Sequence, residues 1–148
     1  MFAFQCEWLE DPAPPERSGF DLGHMTFTGE QGTFTSKGRT PDQAMMLGIA
    51  LADLLGGLAL MLKGTQAAYR FEGADSSFTV HFEQGKRGRI AVRCGPTVVD
   101  EVTARVLGQA IFSEVEAFLA RPGDAIAEDD PVHEDLFCAM KEVRRLLS

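Results

Sequence analysis

The sequence predicts an α+β fold: a mainly antiparallel sheet of about six strands, one long central helix and two C-terminal helices, in a single domain spanning 1–148. Three observations predict it. Segments of apolar–polar alternation fall into two groups, one on either side of a long apolar run. That run, Ala44–Leu62, carries a single charge, Asp53. Two segments with apolar residues every three or four positions then close the chain. The resulting order, β-β-β-α-β-β-β-(β)-α-α, favours helices grouped on one face of a sheet and lacks the βαβ alternation of a nucleotide-binding fold.

Phe2, Phe4, Cys6 and Trp8 alternate with Ala3, Gln5, Glu7 and Leu9, so a half-buried strand begins at once. A strand this early, with no basic stretch before it and an acid at Glu7, does not read as a signal peptide. Asp11-Pro12-Ala13-Pro14-Pro15-Glu16 breaks regular structure. A second strand runs from about Phe20 to Thr28, and Gly29-Glu30-Gln31-Gly32 turns it back into Thr33-Phe34-Thr35.

Thr40-Pro41-Asp42-Gln43 reads as a helix start, with Thr40 as cap and Pro41 in the first turn. The helix is expected to end at Lys63-Gly64, glycine supplying the left-handed residue. Leu47, Leu51, Leu54, Leu58 and Leu62 form one apolar stripe; Met45, Ile49, Ala52, Gly56 and Ala59 form a second, of smaller residues. A helix apolar on two faces needs two neighbours: sheet on the leucine side, another helix or subunit on the other. Asp53 and three glycines argue against a transmembrane span.

Ala67–Glu72 reads as a strand, followed by a turn at Gly73–Ser76. Phe78, Val80 and Phe82, then Ile90, Val92 and Cys94, define the clearest hairpin, with its tip at Gln84–Gly88. Thr97–Val102 adds a short strand. Thr103 caps a helix through Ala120, and Asp130-Pro131 opens the last one, with Val132, Leu136, Met140 and Val143 as its stripe.

Fourteen Lys and Arg against 22 Asp and Glu give a formal charge of −8. That balance speaks against nucleic acid as a partner and is compatible with a basic protein one. Cys6, Cys94 and Cys138 are odd in number and contain no CxxC, so they are expected as free, small hydrophobes in a reducing cytoplasm. His24, His81 and His133 lie on different elements and form no metal-type pattern. His133 and Cys138 sit five residues apart on one helix, about 140° apart, which rules them out as a nucleophile–base pair. No catalytic or phosphate-binding motif occurs, so no catalytic residue, metal ligand or cofactor is assigned.

Three features remain as candidate sites. Asp53, a carboxylate inside an apolar helix, must reach water, find a donor or wall a small-ligand pocket between the sheet and the long helix. Lys86, Arg87, Arg89 and Arg93 form the one basic cluster, explained first by hairpin solubility and by a cross-strand Glu83–Arg89 pair, with anion binding as the other reading. Asp124, Glu128, Asp129, Asp130, Glu134 and Asp135 form an acidic stretch without a base, either a solvated face or a docking surface for a basic protein. Asp129, Asp130 and Glu134 are its expected contacts.

In layout the chain resembles small uncharacterised bacterial α+β proteins grouped with immunity proteins of polymorphic toxin systems. Three segments carry the resemblance. Met45-Met46-Leu47 opens a helix running to Leu54-Leu55, and Asp75-Ser76-Ser77-Phe78 precedes a hairpin. Asp130-Pro131-Val132-His133-Glu134-Asp135-Leu136 opens the last helix. The resemblance brings no catalytic residues and implies a non-catalytic interaction protein that covers a toxin's active site. The alternative is a small-ligand binding domain with its pocket near Asp53. Neither reading fixes the oligomeric state, and a homo-oligomer stays open.

Overall fold

A computed structural model describes residues 1–9 and 17–148. The break expected at Asp11–Glu16 lies outside the described residues. The alternating segments fold into two antiparallel sheets of four strands each, rather than one of about six. In the first, β1 (Ala3–Trp8) pairs with β2 (Leu22–Gly29). On the other edge of β2, β3 (Gly32–Thr35) takes the C-terminal half, Thr26–Gly29. The two-residue β4 (Met45–Met46) takes Leu22 and Gly23. The second sheet is the meander β5 (Ala68–Glu72), β6 (Thr79–Gln84), β7 (Arg89–Cys94) and β8 (Thr97–Thr103). The sheets meet where Gln31 N–H donates to the Val99 carbonyl at 3.1 Å and Met46 N–H to Ala74 at 3.0 Å.

Alternation fixes which face of each strand is buried, because a one-residue slip would expose the whole apolar set. Phe4, Cys6 and Trp8 are buried while Ala3, Gln5 and Glu7 are exposed. Phe78, Val80, Phe82, Ile90 and Val92 all face the core, as the hairpin pattern predicts. The register of that hairpin is two residues from the expected one. Glu83 lies opposite Ala91 rather than Arg89, because the loop turns about Arg87 in left-handed backbone (φ 62). An even shift preserves the buried face, and Glu83 bonds Arg93 at 2.5 Å instead.

The long helix α1 spans Leu47–Leu62, so its start differs from the Thr40–Gln43 expectation. Met45–Met46 is captured by the edge of β2, and sheet pairing there outweighs the local capping signal. Met46 stands at the cap position with no side-chain bond. The helix ends as expected, with Gly64 at φ 75. Its second neighbour is α3 of the same chain, and α2 also packs on it. No helix among the described residues is long and apolar enough to cross a membrane.

Helix α2 (Ala104–Ala120) is capped by Thr103, whose hydroxyl accepts from Val106 N–H at 3.2 Å. Helix α3 (Pro131–Leu147) is capped by Asp130, which accepts from Val132 N–H at 2.9 Å. One continuous core joins both sheets and all three helices.

Candidate functional site

The acidic stretch runs from the turn after α2 into the first turn of α3, and its six carboxylates separate into two kinds. Asp124 and Asp130 are half-buried. The Asp124 carbonyl accepts from the Trp8 indole at 3.0 Å, which ties the turn to β1. Asp130 is committed to the cap. Burial alone would raise its carboxyl, but hydrogen bonds from Val132, Ser18 and Gly19 and the nearby His133 bring it below the ordinary value. Glu128, Asp129, Glu134 and Asp135 are exposed and have no ion pair among the described residues. Lys37, Lys63, Arg70, Arg93, Arg121, Arg144 and Arg145 instead meet Glu7, Glu72, Glu83, Glu114, Glu116 and Glu142. Four carboxylates without counterions among the described residues, placed around a helix start, make a local negative field that reaches about one Debye length into solvent.

Asp53 is exposed on α1, and partial desolvation raises its carboxyl. Ala50 and Gly57, one turn away on either side, are buried, and Gly57 lies under the Tyr69 ring. Tyr69 donates its hydroxyl to the Asp53 carbonyl at 2.9 Å, so the contact is to backbone rather than to the carboxylate. Burial and the Asp53 charge push the Tyr69 hydroxyl up to about 12. On the sheet side of α1, Leu54, Leu58, Met61, Tyr69, Phe82 and Ile111 close together without room for a water molecule. The pocket expected between the sheet and the long helix is filled at these residues by close-packed side chains.

The basic hairpin tip borders an open hollow of about 450 Å³ lined by Lys86, Arg87 and Arg89, with Glu101 on its rim. The Arg89 guanidinium donates to the Glu101 carbonyl. Part of the cluster therefore holds β7 to β8.

A buried Ser–His pair is the feature that reading along the chain missed. His24 Nδ1 lies 2.8 Å from Ser36 Oγ, and that oxygen also accepts from Met25 N–H at 3.1 Å. The signal is present in the hairpin turn, which fixes Thr26 opposite Thr35 and so brings Ser36 beside Met25. Ser36 is fully buried, which denies its hydroxyl to any substrate. The pair is structural, joining β2 to the chain beyond β3. Burial, with Lys37 nearby, holds His24 below 6.5 despite the pull of Asp42 and Glu7.

A pH dependence follows. Below pH 6.5 the unfolded chain takes up the His24 proton more readily than the folded one. This contribution to stability is therefore full above pH 6.5 and declines as pH falls toward the depressed folded value. The urea midpoint is expected to drop between about pH 7.5 and about pH 5.5, and His24→Gln to flatten that drop.

Cys6, Cys94 and Cys138 are free. Burial raises the Cys6 thiol well above its ordinary value, with Glu114 adding to it, and pushes Cys94 up to about 12. Cys138 departs from the expectation of three small hydrophobes among apolar neighbours, since it stands exposed on α3 while Cys6 and Cys94 are buried. No group of three His, Cys, Asp or Glu side chains among the described residues is placed to hold a metal ion.

No protein-family model matches the chain, and no curated protein or solved structure is significantly similar to it.

Proposed function

We propose that the protein is a non-catalytic interaction protein of the immunity type. It acts in the cytoplasm and binds a basic partner protein through the acidic turn before α3 and the first turn of that helix. The observation that carries this reading is the set of exposed carboxylates Glu128, Asp129, Glu134 and Asp135 without a counterion among the described residues. Charges of one sign left unpaired in one place raise the encounter rate with an opposite surface and set its register. Apolar contacts supply most of the affinity in such complexes. The layout resemblance to immunity proteins supports the same class. Asp124 and Asp130 shape the surface from within rather than contact the partner.

The experiment pairs the chain with the protein encoded by an adjacent gene and follows association kinetics at low and high salt. Glu128→Gln, Asp129→Asn and Asp135→Asn are combined, leaving the Asp130 cap intact, since its loss would cost about 1 kcal/mol by itself. The triple variant is expected to associate about tenfold more slowly at low salt and to lose most of its salt dependence. Equal on-rates for wild type and a folded triple variant would make the stretch a solvated loop.

A further inference from the structure

Helices α2 and α3 leave a groove of about 350 Å³ between them. Buried Phe112, Leu119 and Met140 and exposed Phe137 line it together with Lys141, and the Arg144–Glu116 ion pair closes part of it. Phe112 and Arg144 also line a second hollow of about 190 Å³ that carries the groove on to Leu147 and Ser148. Phe137 is 39% exposed beside an apolar trough, with one face of its ring stacked on His133 at 4.3 Å. Glu134, Phe137, Cys138, Lys141 and Arg145 are all exposed and recur at helical spacing, so they share the outer face of α3. Neither Glu134 nor Lys141 has an ion pair among the described residues.

This face is complementary to itself. It is acidic at Glu134, apolar at Phe137 and Cys138, and basic at Lys141, the one cation of the last turns not already paired among the described residues, since Arg144 meets Glu116 and Arg145 meets Glu142. We propose that it is a homodimer interface in which α3 packs antiparallel against α3 of a second copy about a two-fold axis between residues 137 and 138. Glu134 and Lys141 are equally far from that point, about 5 Å along the helix. The two-fold therefore sets Glu134 of each copy against Lys141 of the other, while each Phe137 enters the other copy's groove. Charge selects this occupant. A uniformly basic partner would meet the unpaired Lys141 at one end of this face, and a uniformly acidic one would meet Glu134 at the other. Antiparallel packing also keeps the two sets of Glu128 and Asp129 at opposite ends of the dimer, where with Asp135 they stay open to a basic partner while Glu134 is taken up by the dimer. Two helices about 25 Å long make a small interface, so the dimer forms in the micromolar range rather than as an obligate pair.

The test is sedimentation equilibrium of the full chain from micromolar to millimolar concentration, with far-ultraviolet circular dichroism to confirm folding. Wild type is expected to dimerise reversibly. By symmetry, Glu134→Lys alone and Lys141→Glu alone each create two like-charge contacts, and each should weaken the dimer at least about tenfold. The double exchange E134K/K141E should restore most of it, a rescue that a merely structural role for either residue would not give. Phe137→Glu should leave a folded monomer. A short bis-maleimide should join Cys138 to Cys138 across the axis in wild type and in the double exchange, because Cys6 and Cys94 are buried. A monomer throughout the range, a dimer indifferent to both single reversals, or a double exchange no better than the singles would each overturn the proposal.

Discussion

Leu54→Ala is expected to destabilise the protein by about 2–5 kcal/mol. Leu54 is 1% exposed and closes the space between α1, the second sheet and α2 together with Leu58, Met61, Phe82 and Ile111. Truncation removes apolar contact and leaves a void among residues that are already close-packed on several sides, so little relaxation is available to fill it. Urea titration reads the loss as a lower midpoint at unchanged slope. A loss below about 1 kcal/mol would mean that this stripe does not lie in the core. Leu54→Met keeps most of the volume and should cost less than about 1.5 kcal/mol.

Phe27→Ala should be comparably severe, about 3–5 kcal/mol. The Phe27 ring is fully buried and stands 5.0 Å from Phe4 in its own sheet. Its centroid is 6.3 Å from Phe78 and 6.2 Å from Phe82, which belong to the second sheet and the turn leading into it. Its loss opens the space that couples the two sheets. Amide exchange is expected to rise in β2 and in β6 together, whereas a local defect would raise it in β2 alone. Exchange confined to β2 would show that the sheets are held together elsewhere, at the Gln31–Val99 and Met46–Ala74 bonds.

The His24 and acidic-turn predictions act on smaller terms but separate two roles for charge. His24 is buried and reports on folding; Glu128, Asp129 and Asp135 are exposed and report on encounter. A change in stability on neutralising the three acids, or a change in association rate on replacing His24, would reverse those assignments.

Much of the fold was legible along the chain because its signals are local. Alternation in Phe2–Trp8 and Phe78–Cys94 requires nothing beyond the two-residue period of a strand, and it identifies the buried side correctly. The caps Thr103 and Asp130 act on amides two or three residues away, and Gly64 on its own backbone, so sequence is enough to place them. The acidic stretch was equally plain as composition. Its division into half-buried Asp124 and Asp130 and exposed Glu128, Asp129, Glu134 and Asp135 was not, because that depends on Trp8 and on Ser18 and Gly19 arriving from distant parts of the chain.

By itself the sequence determined the α+β class, the mainly antiparallel pairing, the core residues of the first strand and of the Phe78–Cys94 hairpin, and every helix end that it placed except one. That exception, the start of α1, was decided by tertiary structure. Thr40–Gln43 carries a valid local start signal, but the edge of β2 offers Met45–Met46 backbone partners that a helix there would forgo. Gly48 then packs against the backbone of Gly19, an approach that a side chain would block and that no periodicity reveals. Only the folded chain, too, divides the strands into two sheets, buries Ser36 beside His24 and fills the space near Asp53. The physical reason is the same in each case. Local propensities are worth tenths of a kcal/mol to about one, whereas closing a core among distant segments is worth several, so the long-range contacts decide wherever the two disagree.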